Sequence, residues 1–87
     1  MSQVRIYRTR SCPYCRRAET LLKKHGVKKM QVIDVAANKK LWSTMEKETR
    51  RKTVPQIFIG NVHVGGFDDL AALDKKGKLK AMLALPD

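Results

Sequence analysis

Two cysteines stand two residues apart in Cys12-Pro13-Tyr14-Cys15, and the chain has no others. Arg8 and Arg10 precede the pair; Arg16 and Arg17 follow it directly. The run from Arg16 to Lys24 reads as a helix, which puts Cys12 where that helix begins. A thiol there faces unpaired N–H groups and the positive end of the helix dipole. Both favour the thiolate, the form that attacks disulfides. Pro13 suits a first helical turn, where its missing N–H costs nothing. Cys15 follows one turn later, so the two sulfurs can close a small ring. The chemistry these residues point to is thiol–disulfide exchange, with Cys12 as the exposed nucleophile and Cys15 as the less exposed thiol that resolves a trapped mixed disulfide. A purely structural bridge fits less well, because a two-residue loop constrains little of the chain. A zinc site would have to recruit His25 and His63, whose spacings match no familiar zinc pattern, so no metal is expected.

The elements that must position this pair follow from periodicity. Val4-Arg5-Ile6-Tyr7 alternates as a strand that runs straight into the cysteine loop. The helix after it carries Cys15, Ala18, Leu21, Leu22 and His25 on one face, and Gly26 ends it. Met30 to Val35 is a second strand, so strand, helix and strand form a βαβ unit with parallel strands. Asn38 caps a second helix, Lys39 to about Thr49, with Leu41, Trp42 and Met45 facing inward. After the basic run Arg50-Arg51-Lys52 and Thr53-Val54-Pro55, Gln56-Ile57-Phe58-Ile59 and Val62-His63-Val64 form a hairpin about Gly60-Asn61. Gly65-Gly66 breaks the last strand. Phe67-Asp68-Asp69 opens a third helix over Leu70 to Lys76, with acids at its start and lysines at its end. Leu79, Met82 and Leu83 suggest a short last helix ended by Pro86. The expected order is βαβαββα plus that helix, an α/β domain whose four-stranded mixed sheet carries helices on both faces.

With 87 residues the chain is expected to form one domain. No apolar run approaches the ~20 residues of a membrane span. The N-terminus lacks a basic-then-apolar signal pattern, which leads to an expected cytoplasmic location. Nineteen Lys and Arg against eight Asp and Glu give a net charge of +11. Such a charge suits acidic partners. A nucleic-acid module is disfavoured, because Tyr7, Tyr14, Trp42, Phe58 and Phe67 are not interleaved with basic residues as in a stacking platform.

Three stretches in this order, Cys12-Pro13-Tyr14-Cys15, Thr53-Val54-Pro55-Gln56-Ile57-Phe58-Ile59 and Gly65-Gly66-Phe67-Asp68-Asp69-Leu70, resemble a dithiol glutaredoxin from Val4 to about Leu83. The resemblance implies a thioredoxin fold and a glutathione-dependent reduction of protein disulfides and of protein–glutathione mixed disulfides, with glutathione as co-substrate. It implies that Cys12 attacks and Cys15 resolves. Pro55 would be the family's cis-proline, exposing the backbone of Val54, beside Thr53, to the cysteinyl part of glutathione. After Gly66, the N–H groups of Phe67 and Asp68 would hold the γ-glutamyl carboxylate. Asp68 or Asp69 would face its ammonium, and Tyr14 would flank the groove. The family's lysine three residues before the first cysteine is Thr9 here, and Arg10 is taken as its stand-in near the glycyl carboxylate. Arg50, Arg51 or Lys52 is also near enough in sequence to grip that group. Arg50 occupies the place of a family glycine, and Phe67 that of a cysteine or serine. The implied partners are glutathione and acidic disulfide-bonded or glutathionylated proteins, met as a monomer, away from membranes and nucleic acid. An iron–sulfur cluster carrier is the alternative within the family, and Pro13 argues against it, since relatives with a small residue there bind clusters more readily.

Overall fold

Strand β1, Val4–Arg8, lies inside the sheet and hands the chain to the cysteine loop. Helix α1 covers Pro13–Lys24 and begins earlier than the expected Arg16, because Pro13 occupies its first turn. Strand β2, Met30–Asp34, pairs parallel with β1, Val4 opposite Met30 and Arg8 opposite Asp34. Helix α2, Lys39–Thr49, is capped by Asn38, whose Oδ1 accepts the Leu41 N–H at 2.9 Å. Strands β3, Gln56–Ile59, and β4, Val62–Gly65, form the hairpin, and β3 runs antiparallel to β1. Helices α3, Phe67–Lys75, and α4, Lys78–Ala84, close the chain. Helix α3 starts at Phe67 rather than Leu70, so the acidic pair belongs to its first turn. The sheet order is β2-β1-β3-β4, the mixed α/β arrangement expected. This computed structural model describes residues 2–85, so Pro86, the expected end of α4, lies outside the described residues.

Alternation along the strands sends their side chains to two faces, and each face has its own core. Val4, Ile6, Ile57 and Ile59 pack with Ala18 and Leu22 of α1, Leu70 of α3, and Leu79 and Leu83 of α4. Tyr7 and Phe58 point the other way, with Val35, onto Met45 of α2, flanked by Leu41 and Trp42. Burying each of these larger aliphatic side chains contributes about 1.5–3 kcal/mol. The two-sided packing holds β1, and therefore the loop that follows it, against movement toward either helix layer.

Helix ends fix where the loops start. Helix α1 stops at Gly26, with φ 89°. Val27 N–H reaches Leu22 O at 3.2 Å and Gly26 N–H reaches Lys23 O at 2.9 Å. That double bond pattern needs a left-handed residue, which glycine adopts without a Cβ clash. Helix α2 also ends on a left-handed residue, but without a glycine and with a single backbone bond: Arg50 takes φ 58° and ψ 24°, and its N–H reaches Glu46 O at 2.7 Å. A side chain in that region is disfavoured by about 1–2 kcal/mol. Glycine gives back part of that gain through greater unfolded-state freedom. Arg50→Gly is therefore expected to raise stability by about 0.5–1 kcal/mol, read as a higher urea midpoint at unchanged slope.

Candidate active site

Cys12 is the N-cap of α1, and its sulfur accepts the Cys15 backbone N–H at 3.2 Å. This contact strengthens when the sulfur is negative. The Cys12 thiol also lies 3.8 Å from the Val54 carbonyl oxygen, to which it donates when protonated. Both cysteines are free thiols. Cys12 is partly exposed, whereas Cys15 is 0% exposed on the buried face of α1. Burial, and then the hydrogen bond with Cys12, push the Cys15 thiol up to about 12. One turn beyond Cys15, Glu19 is held by Arg8 at 2.9 Å. One sulfur is thus presented and the other stored directly behind it.

Beside Cys12 a groove of about 250 Å³ is lined by Tyr14, Arg51, Thr53, Val54, Pro55, Gly66, Phe67, Asp68 and Asp69. The Val54–Pro55 peptide bond is cis. Gln56 anchors the Thr53 turn from below: its amide, 0% exposed, donates to Thr53 O at 2.9 Å and to Thr53 Oγ1 at 3.2 Å. Across the groove Asp69 Oδ2 accepts the Gly66 N–H at 2.9 Å and the Arg51 guanidinium at 3.0 Å. Those two bonds, the Arg51 one first, hold the Asp69 carboxyl below its ordinary value. Gly65, at φ 115°, backs this pair closely: a Cβ there would collide with Asp69 Oδ2 and come within 2.9 Å of Arg51 Nη1. Tyr14 and Phe67 stand 6.0 Å apart, ring centre to ring centre, at the outer end.

Glutaredoxin is the family whose profile matches this sequence, over residues 4–64. Glutaredoxin 3 of Escherichia coli is 46% identical over 83 residues, covering 95% of this chain and 99% of its own. A Pseudomonas aeruginosa glutaredoxin is 46% identical over 84 residues, covering 97% and 99%. The chain belongs to the glutaredoxin family. Its activity class is accordingly that of a thiol–disulfide oxidoreductase. Among solved structures, the Brucella melitensis glutaredoxin superposes with a TM-score of 0.83 at 48% identity, over 95% of this chain and 89% of that one. A buckwheat glutaredoxin–glutathione complex superposes with a TM-score of 0.86 at 28% identity, over 94% and 76%. The thioredoxin fold follows from these neighbours.

The structure gathers most of the residues singled out in the glutaredoxin sequence. Tyr14, Thr53, Val54, Pro55, Gly66, Phe67, Asp68 and Asp69 line one groove next to Cys12. Arg10 is the exception. Its side chain is 92% exposed and leans toward Asp34, 3.8 Å away, at the end of β2. Arg10 follows β1 by two residues, and the turn there sends it to the sheet's outer edge. Of the three basic residues after α2, Arg51 is the one that reaches the groove.

His63, a strand residue of the hairpin with no expected role in the groove, supports it from behind. Its Nε2 donates to Gln56 Oε1 at 2.8 Å, since the Gln56 amide nitrogen is committed to Thr53. Burial, and then the charge of Arg51, push the His63 pKa below its ordinary value of 6.5. A histidine depressed in the folded state binds protons more readily when unfolded. Stability therefore falls as pH drops below about 6.5, toward the depressed folded value. His63→Gln should flatten that part of the curve, as measured by urea unfolding between pH 7 and about 5. His25 has a different partner, Asp74 at 2.6 Å, which ties the end of α1 to α3.

Proposed function

We propose that this glutaredoxin reduces protein–glutathione mixed disulfides and protein disulfides, with Cys12 as nucleophile and glutathione as electron donor. The observation that carries the reading is the Cys12 sulfur at the head of α1, flanked by the Val54 carbonyl at the mouth of the groove. The Cys12 thiolate attacks the glutathione sulfur of a mixed disulfide, and the protein thiolate leaves and takes up a proton. The thiolate of a second glutathione then attacks glutathionylated Cys12. It releases glutathione disulfide and restores the Cys12 thiolate, so one reduced glutathione is consumed and the other half of the glutathione disulfide comes from the substrate. On a protein disulfide Cys12 attacks one sulfur, and Cys15, losing its proton, attacks Cys12. The substrate leaves as a dithiol, and the Cys12–Cys15 disulfide is reduced by two glutathiones.

In this reading the Val54 backbone, beside Thr53 and Pro55, pairs with the cysteinyl part of glutathione. The N–H groups of Phe67 and Asp68, after Gly66, take the γ-glutamyl carboxylate. Asp68 or Asp69 faces its ammonium, and Tyr14 closes the outer side. Arg51, already at the groove wall, is the cation for the glycyl carboxylate in place of Arg10. The protein acts as a monomer in a reducing compartment such as the cytoplasm. The test is a glutathione-coupled assay on the mixed disulfide of cysteine and glutathione, run beside a thioredoxin reductase-coupled assay. Turnover in the first supports the proposal, and turnover only in the second overturns it. Arg51→Ala should raise the KM for glutathione about five- to tenfold with kcat nearly unchanged, the pattern of a lost ground-state contact.

A further inference from the structure

A second groove, about 340 Å³, runs between α1 and the start of α3. Leu21 and Phe67, both partly buried, supply its apolar surface. Arg16, Arg17, Thr20 and Lys24 supply the rest, and among the described residues no acidic one lines it. Phe67 also lines the groove beside Cys12, so the two depressions share a wall. Arg17 stacks over the Tyr14 ring at 5.2 Å, which adds a cation to that shared border. An apolar floor ringed by three cations and continuous with a reaction site is shaped for a chain segment of opposite charge.

We propose that this second groove docks the polypeptide of a glutathionylated substrate: a segment near the modified cysteine that carries a large apolar side chain between acidic residues. This rests on the proposed function, and it names the substrate side of the same site. Glutathione occupies the groove along Val54 and Asp69. The protein attached to it extends past Phe67, seats its apolar side chain against Leu21, and places its carboxylates beside Arg16, Arg17 and Lys24. The charge provides selection and encounter rate, and the apolar contact provides register. The +11 net charge of the chain adds long-range attraction for the same partner.

The test uses three glutathionylated peptides beside the cysteine–glutathione mixed disulfide. One peptide has a leucine flanked by glutamates after its cysteine, the second has lysines for the glutamates, and the third has serine for the leucine. The wild-type protein should turn over the first with kcat/KM at least about tenfold above the second, an advantage that shrinks in high salt. The third should fall between them. The double variant Arg16→Glu/Lys24→Glu should reverse the charge preference. Thr20→Trp, which fills the groove from an exposed position, should erase the advantage of leucine over serine. Thr20→Trp should act on the small mixed disulfide as the wild type does, and the double variant is judged by the ratio of its rates on the first and second peptides. Equal rates on the three peptides, or a preference that neither variant changes, overturns the docking site. Binding of the leucine–glutamate peptide with serine for its cysteine, followed by fluorescence anisotropy, separates the two claims. Binding that the double variant weakens about tenfold supports the groove even if the small disulfide is not turned over. Affinity unchanged in the variant overturns it even if catalysis is intact.

Discussion

Cys12→Ser should reduce turnover of every disulfide substrate by at least roughly a thousandfold, because the attacking sulfur is removed and serine has no comparable nucleophilicity without a base. The variant is a clean one. Serine is among the preferred N-cap residues, so its oxygen can take over the Cys15 N–H and α1 keeps its start. Its urea midpoint should stay close to that of the wild type, which separates a chemical loss from an unfolded protein. Cys15→Ser should behave differently. It leaves Cys12 able to accept and pass on glutathione, so deglutathionylation of the small mixed disulfide should survive. Reduction of a protein disulfide should collapse, because the first mixed disulfide has no internal thiol to release it. Coupled assays on the two substrate classes would show the split. Full turnover by Cys12→Ser, or loss of both activities in a folded Cys15→Ser, would be fatal to the assigned roles.

Iodoacetamide at neutral pH should add one label to the folded protein, at Cys12. Cys15 is 0% exposed, and its thiol is pushed up to about 12, burial being the main cause. At pH 7 that leaves the Cys15 thiol overwhelmingly protonated. Burial then denies the reagent even the thiolate that remains, so the rate ratio between the two cysteines should exceed roughly a thousand. In urea the barrier disappears and two labels should be found by mass spectrometry. Comparable labelling of both thiols in the native protein would contradict the buried placement. The same burial bears on mechanism. Cys15 can compete with external thiols only for a sulfur already held one turn away, where intramolecular proximity offsets its poor ionisation.

The elements were legible because their signals are local. Asn38 before Lys39, Gly26 after α1 and the Gly60-Asn61 hairpin each state a boundary within a few residues, and the structure places the elements there. The groove was legible through three short motifs, although no single one of them specifies it. Arg10 and Arg51 differ in a way that sequence spacing does not encode. Whether a basic side chain reaches the groove depends on the path of the chain after β1 and after α2, and both are tertiary properties. Nearness to Cys12 in sequence favoured Arg10, but the fold brings Arg51 across to Asp69 on α3. The His63–Gln56–Thr53 chain stayed hidden for a similar reason. It crosses from β4 through β3 to the loop before it, and Gln56 and His63 look like ordinary strand residues until the folded hairpin brings their side chains within hydrogen-bond distance. Arg50 shows the limit of a glycine rule: the chain makes the left-handed turn with an arginine.

The atom that carries out exchange also terminates a helix, since the Cys12 sulfur is the acceptor for the Cys15 amide. A sulfur drawn into a disulfide is a weaker acceptor than an ionised one, so the contact at the start of α1 is expected to be weaker in the disulfide than in the thiolate. By thermodynamic linkage, the amount by which this bond favours folding of the reduced form over the disulfide form is also added to the tendency to take up electrons. The start of α1 is therefore expected to favour the reduced protein by that difference, and the amide resonance of Cys15 should follow each half of the cycle.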